Sequence, residues 1–149
     1  MSGHRFRSGF TIVDMATSLA VILLLSAMVV PSLRRMSDAQ RVGRAARVLA
    51  ADLERGFSLA TRIRRPVILT CRCDAKVFEV RLAGTDSVIY ERRLDGSSGF
   101  NIGTLTSSGD ATVSQSAVSS REVTFAMQLG TSQRSVILST AGLARVMTP

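Results

Sequence analysis

The hydrophobic positions of this 149-residue chain fall into three successive patterns. A charge-free apolar run extends from Met15 to Leu33. As a helix it covers about 28 Å at 1.5 Å per residue, close to the roughly 30 Å hydrocarbon core of a bilayer. From Leu33 the pattern turns amphipathic, with Leu33, Met36, Val42, Ala46, Leu49, Leu53, Phe57, Ala60 and Ile63 recurring at steps of three or four and one irregular step at Val42. The spacing predicts one long helix in two environments. Pro31 is expected to kink it, because proline offers no N–H to the carbonyl of Ala27, and Gly43 and Gly56 are further weak points. Arg64-Arg65-Pro66 ends the helix, since the residue before a proline is driven out of the α region.

Beyond Pro66 the period falls to two. Strands are predicted over 67–73, 77–82 and 88–94, separated by Asp74-Ala75-Lys76 and Gly84-Thr85-Asp86, and a β-meander joins them most economically. The Gly-, Ser- and Thr-rich stretch 95–120 reads as loops with short strands at 100–105 and 111–116. A hairpin over 121–129 and 134–140 turns across Gly130-Thr131-Ser132, and a last strand covers 143–147. The fold class is therefore α+β, with the Leu49, Leu53, Phe57 and Ala60 face of the helix packed on a mainly antiparallel sheet.

Charge changes the picture by its placement. The net charge of +8 comes from 18 arginines and one lysine against 11 acids. Nine of the arginines lie between Arg34 and Arg65, opposed by Asp38, Asp52 and Glu54, whereas from Pro66 onward bases and acids nearly balance. A basic helix beside a membrane meets anionic lipid or an acidic partner more often than nucleic acid. Most of these arginines form a solvated face, and Arg34 and Arg35 are the best placed for lipid headgroups.

Candidate chemistry is sparse. The one histidine, His4, lies in the basic leader Met1–Gly9. Cys71 and Cys73 are too few for a disulfide framework and too close together for a familiar metal motif. On one strand they would share a face about 6.6 Å apart, so packed or partly oxidised thiols are expected. Phe57, Phe78, Phe100 and Phe125 read as core, not as a base-stacking platform. No nucleophile with a base, carboxylate pair, phosphate loop or metal cluster can be assembled, which argues against an enzyme, a cofactor or a small-molecule substrate.

At Gly9-Phe10-Thr11-Ile12-Val13-Asp14 the sequence resembles the processing site of type IV prepilins, with a glycine before a phenylalanine and an acidic residue at the fifth place of the mature chain. The resemblance continues through the apolar run to Pro31, where this family commonly has a helix-kinking proline. Val123-Thr124-Phe125 with Gly130, and Val136-Ile137-Leu138-Ser139 with Gly142, are similar to the closing strands of H-type minor pseudopilins and FimT-type minor pilins. The resemblance implies cleavage between Gly9 and Phe10 by a prepilin peptidase and N-methylation of Phe10. It further implies assembly with other pilins or pseudopilins of a type IV pilus or type II secretion system, in the bacterial inner membrane. The implied layout is a leader at 1–9, a membrane and assembly helix at 10–33, an amphipathic helix at 34–65 and a β-rich periplasmic domain at 66–149. Asp14 stands where the family normally has glutamate, and there its carboxylate would pair with a neighbouring subunit's N-terminal amine.

Two other functions compete. Some FimT-type relatives bind DNA through a C-terminal Gly-Arg-x-Arg sequence; Gly142-Leu143-Ala144-Arg145 keeps only the first and last positions, leaving Arg145 as a candidate contact. A secreted soluble β domain would instead require signal-peptidase cleavage near Ala27. Orientation is contested as well: the arginines after the apolar run would hold the β domain in the cytoplasm by charge alone, whereas the prepilin-like leader implies the periplasm.

Overall fold

The computed structural model describes residues 11–85 and 87–148; the leader with His4 and Gly9, and Phe10, Asp86 and Pro149, lie outside them. The first element is a single helix, α1 (Ile12–Ile63). The chain divides between Arg34 and Arg35 into two units.

In the first unit α1 is apolar on every side, and its large side chains from Ile12 to Leu33 are exposed. It is the one helix among the described residues that is long and apolar enough to cross a membrane, with a mean hydropathy of 2.2 over its most apolar window. Three of its hydroxyls bond back onto the helix. Thr17 donates to the Val13 carbonyl at 3.0 Å, Ser18 to that of Asp14 at 2.7 Å and Ser26 to that of Ile22 at 2.7 Å. Such bonds leave no hydroxyl proton to be satisfied by lipid. Pro31 lies inside the helix.

The second unit follows the predicted alternation closely. Its strands are β1 (Val67–Arg72), β2 (Val77–Leu82), β3 (Val88–Arg93), β4 (Thr104–Ser107), β5 (Ala111–Val113), β6 (Val123–Leu129), β7 (Ser132–Leu138) and β8 (Ala144–Met147). They form two antiparallel four-stranded sheets, ordered β3-β2-β1-β5 and β4-β6-β7-β8. The fold is thus α+β, as expected. The meander of β1 to β3 is as expected too. The division into two sheets is not a local property: β4 and β5 are neighbours in sequence, yet β5 joins β1 and β4 joins β6. Asn101 at φ 50° delays the strand expected from Phe100 until Thr104, and the closing hairpin turns over Gly130-Thr131 alone.

Both sheets share one core with the C-terminal half of α1, whose buried face is Val42, Ala45, Ala46, Leu49, Asp52, Leu53, Gly56, Phe57 and Ala60. Phe78 of β2 and Phe125 of β6 meet edge to face, with centroids 5.8 Å apart. At Gly56 an added Cβ would come within 2.6 Å of Leu69 Cδ2, so the glycine lets the helix close onto β1. Leu33 and Met36, expected to continue the buried stripe, are exposed. The helix ends with Arg64 in the left-handed region at φ 52°, two residues before Pro66.

Candidate functional site

The sequence candidates occupy separate places. Gly9 and Phe10 lie outside the described residues. Asp14 is in the first turn of α1, where it forms a reciprocal cap with Thr11. Thr11 donates its backbone N–H (3.1 Å) and its hydroxyl (2.7 Å) to Asp14 Oδ2, while the Asp14 N–H donates to Thr11 Oγ1 at 3.2 Å. This is a capping box, satisfying amides that the helix start leaves unpaired, and the carboxylate also complements the positive end of the helix dipole. The Thr-x-x-Asp spacing directly before an apolar run is its sequence signal. Only Oδ2 is engaged; Oδ1 has no hydrogen-bond partner among the described residues.

Arg145 lies on β8 beside Ile137 of β7 and is exposed. Side chains alternate along a strand, so Arg145 projects from the face opposite Val146, which pairs with the buried Val136. The helix arginines Arg44 and Arg47 instead border a cavity of about 570 Å³ with Arg134 and Val146. Arg145 thereby projects away from Arg44, Arg47 and Arg134.

A buried polar clamp was not anticipated. Asp52, 5% exposed, sits within the apolar stripe, three residues after Leu49 and four before Gly56. It accepts hydrogen bonds from Tyr90 Oη and Arg92 Nε, each at 2.7 Å. Arg92 also donates to the Tyr90 hydroxyl, and the Arg55 guanidinium lies 5.3 Å from the Tyr90 ring centroid. The clamp's only sequence signal is a carboxylate, Asp52, at a position of the apolar helical stripe; the pairing with Tyr90 and Arg92 is tertiary. Glu79 on β2 is fully buried as well, held by Arg81 at 2.7 Å and by Arg72. Cys71 and Cys73 form a disulfide with Cα atoms 5.0 Å apart. The separation is shorter than on a continuous strand because β1 ends at Arg72 and Cys73 already belongs to the turn.

The clamp has a pH signature. Burial, and then the hydrogen bond to Asp52, push the Tyr90 phenol above its ordinary value of about 10. A raised acid pKa in the fold means that this contribution to stability is complete below about pH 10 and is lost as pH rises through the folded value. Tyr90 is the one tyrosine of the chain. The tyrosinate absorbance of the folded protein is therefore expected to emerge above the ordinary range, and Asp52→Asn to move it back toward that range. A wild-type titration at the ordinary value would disprove the clamp.

The architecture built from these pieces is pilin-like: a long N-terminal helix whose C-terminal half shares a core with antiparallel sheets. Two crystal structures of the type IV minor pilin FimU from Pseudomonas aeruginosa (strain PAO1) share this fold. One, in space group P21, is similar with a TM-score of 0.56 and 18% identity over 76% of this chain and 92% of that chain. The other, in space group P65, gives a TM-score of 0.54 and 20% identity over 70% and 91%. No protein-family model and no curated protein matches the chain.

Proposed function

We propose that this chain is a minor pilin or minor pseudopilin, a structural subunit that enters a type IV pilus or type II secretion pseudopilus through its N-terminal helix and performs no catalysis. The observation that carries this reading is the exposed apolar surface of α1 from Ile12 to Leu33 in a chain with a minor-pilin fold. So much contiguous apolar surface requires lipid or packed neighbours. The leader at 1–9 is removed by a prepilin peptidase, Phe10 becomes the methylated N-terminus, and Pro31 bends the helix for packing in the shaft. The β-rich region lies in the periplasm or on the filament, where a Cys71–Cys73 disulfide persists. DNA binding has weaker support, because Arg145 is the only remnant of the two-arginine sequence and projects from the face opposite the groove that Arg44, Arg47 and Arg134 border.

The deciding experiment is the intact mass of the chain expressed with and without a prepilin peptidase. Loss of residues 1–9 and gain of one methyl group are expected only with the peptidase. A chain that keeps Met1 in both cases overturns the reading, and cleavage near Ala27 would mark a secreted soluble domain instead.

A further inference from the structure

The cavity beside β8 is lined by Met36, Gly43, Arg44 and Arg47 of α1, Arg134 of β7 and Val146 of β8. The helix residues recur at steps of three, four and seven and so form one stripe. Val42, Ala45, Ala46 and Leu49, on the adjoining face, are fully covered by the sheets. The stripe itself is left open because the sheet stops at β8, an edge strand. Natural edges are blunted by charge, proline or cover, and here the one charge on the edge strand, Arg145, lies on the face turned away from the groove. Leu143, Val146 and Met147 are exposed here at 49%, 40% and 50%. Gly43 leaves open space above the helix, with nothing within 4 Å of where its Cβ would be.

The charge is equally one-sided. Arg44 and Arg47 make no hydrogen bond or ion pair among the described residues, and Arg134 only donates to the neighbouring Gln133 carbonyl at 2.9 Å. Asp38, on the same helix, turns toward the β6–β7 turn, its Oδ2 3.2 Å from the position of a Cβ on Gly130.

We infer that this groove is a vacant strand position, filled by an extended acidic segment of another protein that adds to the edge of β8. The free amides and carbonyls of β8 supply main-chain pairing. Side chains at alternate positions of the incoming strand point into the groove, the apolar ones onto Met36, Val146 and the bare backbone at Gly43 and the acidic ones onto Arg44, Arg47 and Arg134. A second copy of this chain is a poor occupant, because a protein of net charge +8 repels itself there. Lipid headgroups are too low: Arg44 stands nine residues, about 14 Å of helix, beyond Arg35, and the headgroup layer is only about 5–7 Å thick. The inference rests on the groove alone and is independent of the filament role.

The test is fluorescence anisotropy of the full chain in detergent with a labelled decapeptide whose alternate positions carry Val and Glu in turn, with Thr between them, beside a counterpart carrying Lys in place of Glu. Saturable binding of the acidic peptide, about tenfold or more tighter than the basic one, is expected, with hydrogen-exchange protection of the β8 amides. Arg44→Gln with Arg47→Gln should weaken binding about tenfold, since two charge-assisted contacts are lost. Gly43→Leu should weaken it comparably by filling the groove floor. Both changes are at exposed or half-exposed helix positions, so unfolding does not confound them, and circular dichroism checks this. No saturable binding at low salt, or equal binding by the variants, overturns the proposal. A duplex DNA probe that binds more tightly than the peptide and loses affinity in the same variants also overturns it, and assigns the groove to nucleic acid.

Discussion

Gly142→Ala is expected to destabilise the folded β region by about 2–5 kcal/mol. Two independent costs combine. Gly142 sits in the turn between β7 and β8 at φ 84°, where a Cβ clashes with the backbone at a cost of about 1–2 kcal/mol. Its position also abuts the Phe57 ring of α1: an added Cβ would lie 2.6 Å from Cδ1 and 2.9 Å from Cε1. Phe57 is buried and cannot withdraw, so overpacking adds about 1–3 kcal/mol. Two further variants separate the costs. Asn tolerates the left-handed region but still carries a Cβ, so Gly142→Asn should recover only the backbone part. Phe57→Leu is destabilising alone but should be partly rescued when combined with Gly142→Ala, a positive coupling in a double-mutant cycle. Denaturant midpoints of the full chain in detergent measure all four. An unchanged midpoint for Gly142→Ala would place the turn elsewhere than against the helix.

This contact shows where sequence reading stops. The Gly142 turn, β8 and the helix ending near Arg64 were legible, because turn residues, period-two alternation and proline act within a few residues of themselves. The helix register was legible from Val42 to Ala60 for the same reason. What joins Gly142 to Phe57, or Asp52 to Tyr90 and Arg92, is tertiary, and a single sequence carries only half of each pair. Met36 illustrates the reverse error. Its spacing extends the apolar stripe faithfully, but burial depends on whether a strand lies opposite, and the sheet ends one strand too soon. The split between β4 and β5 was likewise invisible, since short strands in a Ser- and Gly-rich stretch carry no mark of which sheet they join. Of the candidate site, the residues at the start of α1 are legible by resemblance, whereas the cap that Asp14 makes with Thr11 is legible directly from the Thr-x-x-Asp spacing.

That cap sharpens the prediction for Asp14. If its carboxylate also pairs with the N-terminal amine of a neighbouring subunit, charge and capping are separate duties that different substitutions remove. Asn keeps a side-chain carbonyl able to accept from the Thr11 amide and hydroxyl, but carries no charge. Ala removes both functions. Glu retains the charge and still completes a capping box at this spacing. An unpaired Asp costs about 2.5–3.5 kcal/mol at the centre of a membrane helix and less at its end, while an opposite charge 4 Å away recovers about 4 kcal/mol at an effective dielectric of 20. Oδ1, unbonded among the described residues, is the atom free to receive the amine. Asp14→Asn should therefore match wild type in helix content and membrane level, yet enter filaments about tenfold less or worse. Asp14→Glu should enter normally, and Asp14→Ala should lose both the cap and incorporation. Co-expression with partner pilins, followed by comparison of sheared or cross-linked filaments at equal membrane levels, reads each outcome. Equal incorporation of the Asn variant would defeat the pairing and leave Asp14 as the cap of a membrane helix.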